Sequence, residues 1–405
     1  MSVPRSARRR YMAGAVGLVC AVVVTSAGWA QTRTQRQTVV PPTPAETGET
    51  DGIVFGGAYT LNFQFDQTLN RSAGVKSFGN LFAELDDLNW YLNIGKYFSL
   101  NGALKMDQVR TVSKSSAFRA EGLRVSELYA TVYLDPVRIY GGKIHPRFGK
   151  AWDVTPGLYG TDFAEDYELE EKLGLGIAYD LRSPTFGRHS LTFETFIEDT
   201  SFLSNSVFSR PRITDSDVIR PKHLRRRDGG VGNTGQLFDN FTVTLDGSKI
   251  PELRGFSYNL GFERRRGSKV GGEPTEHGFV AGFEWEILLT SRITMTPQVE
   301  FAYQRNPGGV AGNTKWMTAS LGFELGRGWF ASLYGTLRPV KDKTIPDSYT
   351  DYLAGFSVGY EVGTLLRRYG RWLKGLAVEA GYKYEHAAHT NLSTVGVSLT
   401  YSRSF

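Results

Sequence analysis

The chain has 405 residues, 40% of them apolar, 22% charged and 13% aromatic, with 46 glycines, one cysteine and a formal charge of +6. This composition excludes an intrinsically disordered chain, a collagen and a disulfide scaffold. The glycine and aromatic excess points to one large all-β unit rather than to the two or three ordinary domains that length alone permits.

Residues 1–30 read as a secretory signal: Arg5, Arg8, Arg9 and Arg10 precede an apolar run from Tyr11 to Val24, and cleavage is predicted after Ala30. Removal takes four of the 47 basic residues and none of the 41 acidic ones, so the mature chain is near neutral and a nucleic-acid partner loses its support. Cys20 leaves with it, and neither a disulfide nor a thiol nucleophile remains. Residues 31–51 form a polar, Pro/Thr-rich stretch that buries nothing and reads as a disordered periplasmic lead-in. A peptidoglycan or partner tether is the alternative there.

From residue 52 to residue 405 no apolar run approaches the roughly 18 to 20 residues of a membrane helix. Period two takes over. Ile53, Phe55, Tyr59, Leu61, Phe63 and Phe65 alternate with Ala58, Thr60, Asn62 and Gln64, which makes one face apolar and the other wet. The pattern recurs around Trp90, Leu100, Val132, Ile139, Ile177, Phe193, Val243 and Leu260. It continues around Phe283, Phe301, Phe323, Leu333, Phe356, Val378 and Val397. Those are sixteen segments. In lipid every backbone polar group must be paired within the protein, so a sheet crosses the bilayer only when closed. The predicted fold is therefore all-β, a closed antiparallel transmembrane β-barrel of about 16 strands spanning residues 52–405, with periplasmic termini and long extracellular loops. Its lipid-facing set includes Leu88, Trp90, Phe283, Trp285, Leu333 and Phe356.

Connector lengths check this independently. Gly95–Tyr97, Asp135–Pro136, Ser183–Gly187, Gly247–Pro251, Thr290–Ser291 and Gly326–Gly328 are short, with Leu365–Trp372 somewhat longer, and read as periplasmic turns. Gln67–Gly79, Arg110–Gly122, Gly149–Glu171 and Asp199–Leu237 are long and read as extracellular loops. Long and short alternate as an outer-membrane barrel requires.

The signal, the sixteen-fold alternation and the terminal aromatic Phe405 together resemble a bacterial outer-membrane porin. Tyr140-Gly-Gly-Lys-Ile-His-Pro-Arg-Phe-Gly149 is similar to a strand-to-loop segment of the superfamily that includes phosphate-selective porins. The resemblance covers nearly the whole mature chain. It implies passive diffusion of small hydrophilic solutes, commonly through a homotrimer, with no chemistry, no cofactor and no metal. A terminal Phe on an amphipathic strand resembles the signal read by the outer-membrane assembly machinery, although Arg403 stands where an apolar residue is usual. The resemblance also implies Gram-negative outer-membrane localisation, among lipid and lipopolysaccharide.

About sixteen strands leave an aqueous channel, so something must narrow it. The third extracellular loop carries Asp153, Asp162, Glu165, Asp166, Glu168, Glu170 and Glu171 against Lys150 alone. It has the rank of the loop that folds inward in general porins, and its carboxylates are expected to face wall cations across a narrow gap. The alternative is an exposed acidic loop that bridges lipopolysaccharide through divalent ions. Parity with the apolar face places Lys105, Arg138, Arg182, Arg265, Arg338 and Lys383 on the lumen wall, outnumbered there by Glu194, Glu198, Glu263, Glu284, Glu286, Glu300, Glu324, Glu361, Glu379 and Glu385. The fourth loop carries Arg210, Arg212, Arg220, Lys222, Arg225, Arg226 and Arg227. With Arg264 and Arg266 on the neighbouring wall, it is read as binding lipopolysaccharide phosphates or attracting anions.

Enzyme signals are weak. Gly230-Val-Gly-Asn-Thr-Gly235 matches a dinucleotide fingerprint formally but lies in a long loop ahead of a strand, without the strand-turn-helix setting that gives its glycines a purpose. The six histidines show no metal spacing. A diffusion channel with mild cation preference is the leading expectation. A substrate-specific channel for an oxyanion or sugar acid is the nearest alternative, and a barrel enzyme or adhesin a distant one.

Overall fold

The computed structural model describes residues 52–70, 77–112, 114–209, 219, 224–345, 347–365 and 373–405. The predicted signal, the lead-in, and Arg210, Arg212, Arg220 and Lys222 lie outside these residues. Sixteen strands form one closed antiparallel barrel. In chain order they are β1 (Ile53–Asn70), β2 (Phe78–Ile94), β3 (Phe98–Gln108), β4 (Glu121–Leu134), β5 (Val137–Ile144), β6 (Lys172–Ser183), β7 (Gly187–Glu198) and β8 (Asn240–Ser248). They continue as β9 (Phe256–Arg265), β10 (Glu276–Trp285, resuming at Ile287–Thr290), β11 (Ile293–Arg305), β12 (Gly312–Gly326), β13 (Trp329–Asp342), β14 (Tyr349–Glu361), β15 (Leu376–Ala387) and β16 (Thr390–Ser404). Every predicted segment falls on one strand. β10 is one strand broken at Glu286, since both parts pair with β11. A two-residue stretch, Ser116–Ala117, folds back from the second long connector to pair with β2 in parallel and is not part of the wall.

Closure comes from β1, which pairs with β2 on one side and with β16 on the other. The last residue finishes the seam: Phe405 exchanges two backbone hydrogen bonds with Gly57 at 3.0 and 2.9 Å, and its ring lies 5.9 Å from that of Phe55. The two ends of the barrel segment, Gly52 and Phe405, share one end of the barrel with the short turns.

The strands are inside out relative to a soluble sheet. Outward Leu175, Leu191, Leu333 and Phe279 are all at least half exposed, whereas inward Thr192, Glu194, Thr242 and Thr318 are almost completely covered. Period two on a closed sheet produces this apolar outer belt and polar interior. The buried apolar cluster lies within the lumen: Phe148, Trp152, Tyr159, Phe163, Ala164, Tyr167 and Leu169 of the third connector pack on Phe196, Val280, Ala302, Trp316, Tyr334 and Leu353 of the wall.

Candidate functional site, a loop folded into the lumen

The third connector, residues 145–171, leaves β5 and turns inward at Gly149, whose φ is +77°. A Cβ there would stand 2.8 Å from a Glu300 oxygen and 2.9 Å from the Tyr167 ring, so only glycine fits. The single-turn helix Ala151–Val154 follows, held by Trp152 Nε1 donating to the Phe148 carbonyl at 3.1 Å and Thr155 Oγ1 donating to the Ala151 carbonyl at 2.6 Å. Gly157, at φ +100°, then passes where a Cβ would clash with Tyr334 and Ser332 of β13.

Four walls hold the loop. On β11, Glu300 accepts from the backbone N–H groups of Lys150 (2.8 Å) and Ala151 (2.9 Å), from the Tyr167 hydroxyl (2.6 Å) and from Asn259 Nδ2 (2.9 Å). On β15, Lys383 Nζ donates to Asp162 at 2.6 Å and to Glu385 at 3.1 Å. On β13, Arg338 donates to Asp166 and to Asp351 of β14. On β1, Asp66 accepts from the Tyr159 hydroxyl at 2.7 Å. Aromatic packing joins these: Tyr167 lies edge-on to Phe148 at 6.2 Å and to Trp316 at 5.3 Å. Each such buried ring contributes roughly 1.5 to 3 kcal/mol relative to exposure.

The pairing of loop acids with wall cations corrects the expected geometry. Asp162 and Asp166 do not face Lys383 and Arg338 across a gap; they touch them. In a partly dehydrated lumen a carboxylate gains more from contact with a cation than from standing opposite one. Burial pushes the Asp162 carboxyl up to about 6 against the pull of Lys383, and raises that of Asp166 against the pull of Arg338. Both carboxylates keep close to a third of their side-chain surface open, whereas Asp351 is almost covered.

The root of the loop, before β6, is a buried ion network. Arg124 of β4 donates to Glu171 (2.6 Å) and to Asp107 of β3 (3.0 Å), while Lys143 of β5 meets Glu171 (2.8 Å) and Asp199 (2.9 Å). Glu170 lies 3.9 Å from both Lys105 and Arg124. Burial lowers His145 to about 3, so it stays neutral, with its Nε2 donating to the Ser126 carbonyl at 3.0 Å. Lys143 also donates to Ser204 at 2.9 Å, which ties the first turn of the fourth connector to the root of the third.

Among the remaining predicted positions, Glu165 accepts from Thr161 Oγ1 at 2.8 Å, Asp153 is buried beside the loop helix, and Glu168 is half-buried. On the wall, Glu194 accepts from Tyr140 (2.7 Å) and the Arg147 N–H (2.7 Å), and Arg138 donates to Asp180 (2.6 Å). Arg182 and Glu284 have inward parity nearer the short-turn end, Arg182 exposed and Glu284 half-buried. Arg225, Arg226 and Arg227 are exposed; Arg264 donates to the Asp239 carbonyl and Arg266 pairs with Asp239 at 2.9 Å. The Gly230–Gly235 segment packs against its neighbours, with the Gly230 N–H donating to Glu273 at 3.1 Å and the Gly232 N–H to the Arg266 carbonyl at 2.8 Å. Four glycines at 229, 230, 232 and 235 have positive φ, in keeping with a loop role.

Period-two reading passed over Tyr159, Tyr167, Trp316, Tyr334, Arg124 and Lys143. A signal for part of this set was present: Val280, Ala302, Trp316, Tyr334 and Leu353 are apolar residues at wall positions of wet parity, and all five meet the loop cluster. An apolar break in the inner face marks where something docks.

No protein-family model and no curated protein matches the chain. Solved structures do. The outer-membrane channel DcaP of Acinetobacter baumannii is similar over 87% of this chain and 97% of its own, with a TM-score of 0.51 at 12% identity. OccK9 (OpdG) of Pseudomonas aeruginosa is similar over 87% and 98%, with a TM-score of 0.50 at 9% identity. At such identities the likeness is one of fold: the chain has the barrel fold of outer-membrane channels.

Proposed function

We propose that the protein is a passive channel of a Gram-negative outer membrane, passing small hydrophilic solutes and ions, with the inward third loop as its constriction. The observation that carries this reading is the path of the loop. Its ties to β1, β11, β13 and β15 take it from the β5 wall across to strands on the far side of the barrel. A loop in that position narrows the lumen, and its polar walls suit hydrated solutes. In this orientation the long connectors are extracellular and the termini periplasmic.

The charge balance around the loop supports mild cation preference. Lys383 is shared by Asp162 and Glu385, and Arg338 by Asp166 and Asp351, so two cations stand against four carboxylates on this side of the lumen. Such groups act on an ion through little water, whereas the exposed Arg225, Arg226 and Arg227 are screened over about 8 Å in physiological salt. A homotrimeric assembly is part of the proposal, tested by cross-linking in membranes.

The deciding experiment is insertion of the purified mature protein into planar bilayers. Stepwise ohmic conductance is expected, and its absence at every protein load sinks the reading. Block of conductance by one solute class at micromolar concentration would replace it with a substrate-specific channel.

A further inference from the structure

On the outer face of the barrel, at the end bearing the long connectors, one rung of the sheet runs unbroken across six strands. Phe241 of β8 pairs with Arg264 of β9, Arg264 with His277 of β10, His277 with Arg305 of β11, Arg305 with Asn313 of β12, and Asn313 with Lys341 of β13. The strand neighbours of these residues, Glu263, Glu276, Gln304, Thr314 and Asp342, are buried in the interior. Alternation therefore puts the whole rung on the outside. Arg305 and Lys341 are exposed, and Arg264 and His277 half-buried. The rung holds three permanent cations and a histidine, and no carboxylate.

One rung nearer the bilayer centre the same strands carry Val243, Phe262, Phe279 and Tyr303, with Lys315 beside Tyr303. The Phe262 and Phe279 rings are 5.0 Å apart, and the Phe262 ring stacks on His277 at 6.5 Å. An aromatic rung at the hydrocarbon edge with a cationic rung directly beyond it is complementary to an acylated molecule whose headgroup carries phosphate. Adjacent strands are about 4.8 Å apart, which puts Arg264 and Arg305 about 10 Å from each other and Lys341 about 10 Å further on. Two arginines at that spacing can converge on one phosphate above His277, with Lys341 left for a second.

We propose that this rung is a binding site for the phosphorylated headgroup of an outer-leaflet glycolipid, its acyl chains lying on the Phe262, Phe279 and Tyr303 face. The site narrows the basic set read from sequence. Arg264 belongs to it, one of its guanidinium nitrogens donating to the neutral Asp239 carbonyl, whereas Arg266 is ion-paired with the Asp239 carboxylate and Arg225, Arg226 and Arg227 stand on the connector. The inference rests on the orientation proposed above and goes beyond channel function.

The test uses the full mature protein in detergent with three probes: bisphosphorylated lipid A, the same lipid after phosphatase treatment, and inorganic phosphate, with retention read by native mass spectrometry. Wild type is expected to retain the bisphosphorylated lipid. The Arg264→Gln, Arg305→Gln, Lys341→Gln triple variant is expected to weaken retention by about tenfold or more, from loss of charge-assisted contacts. A control triple at the opposite rim, Lys96→Gln, Arg254→Gln, Arg292→Gln, is expected to retain it like wild type, with circular dichroism confirming a folded barrel in each case. Equal retention by wild type and the first triple overturns the site, as does equal retention of the dephosphorylated lipid. Inorganic phosphate held as tightly as the lipid overturns the lipid assignment. Loss of lipid in the first triple together with a silent wild type in bilayers keeps this site and removes the channel reading, so the two proposals fail separately.

Discussion

The Tyr167 hydroxyl donates to Glu300 Oε1 at 2.6 Å, joining two residues 133 positions apart. One comes from a loop and the other from the opposite wall. The same carboxylate accepts two loop backbone N–H groups, so a single acid on β11 holds both the beginning and the end of the inward segment. It also explains why Gly149 must lack a side chain, since a Cβ would fill the space that Glu300 and Tyr167 occupy.

Glu300→Gln removes an oxygen that accepts from two donors and replaces the charge. Net hydrogen bonds to charged groups contribute about 1.5 to 3 kcal/mol each, so losing two should weaken docking of the loop by about 3 to 6 kcal/mol. The expected result is larger and noisier single-channel conductance in a barrel that still folds. Unchanged conductance and unchanged exclusion of large polyethylene glycols would show that the loop does not set the bore.

Gly149→Ala should act similarly by sterics. The residue combines φ +77° with contacts of 2.8 and 2.9 Å at the added Cβ, so backbone and neighbours must both shift. Protease sensitivity of the third loop is the readout, and a rise relative to wild type is expected. Gly95→Ala, whose φ of +58° brings similar backbone strain but leaves nothing near the added carbon, is the control that isolates the contacts with Glu300 and Tyr167.

Neutralising Asp162 and Asp166 to Asn leaves Lys383 and Arg338 each with one carboxylate partner. Cation preference should fall while conductance persists, measured as a reversal potential across a salt gradient. A clear anion preference in wild type would contradict the acidic weighting of the proposed constriction.

The pH dependence follows from Asp162, whose carboxyl is raised to about 6 by burial. With the loop docked it takes up a proton as pH falls through about 6, whereas an undocked, solvated Asp does so only near its ordinary value of about 3.9. Between those values the docked state binds more protons, so this group favours docking as pH falls and opposes it as pH rises. Protonation also leaves Lys383 with Glu385 as its remaining carboxylate partner. Cation preference is therefore expected to drop between pH 7 and 5 without a rise in bore, and Asp162→Asn should flatten that change. A drop of equal size in Asp162→Asn would assign it to another group.

On the lipid face, Leu333→Arg should cost about 2 to 4 kcal/mol near the bilayer midplane, and Trp285→Arg, near the rim, about 0 to 1 kcal/mol. Denaturant unfolding in lipid vesicles separates the two depths. Equal costs would mean that the apolar belt is not lipid-facing.

Strand number, facing and connector order were legible in the chain because they depend on period two and on turn residues, both local. Among the described residues, apolar-parity side chains such as Ile53, Phe65, Ile177, Leu333 and Leu399 are exposed on the outside, since a closed sheet in lipid has no other place for them. The acidic third loop was legible as composition, its inward fold was expected only from its rank in the porin resemblance, and its partners on the wall were not legible at all. That fold depends on partners far away in sequence: Tyr159 needs Asp66, Asp162 needs Lys383, Tyr167 needs Glu300. No local pattern encodes which wall a flexible segment will meet, because its polar groups are satisfied equally well by water until the barrel closes around them. Only the closed barrel brings β1, β11, β13 and β15 within reach of one loop. The cationic rung is likewise decided by register, which turns Arg264, His277, Arg305 and Lys341, scattered over four strands, into neighbours on one face.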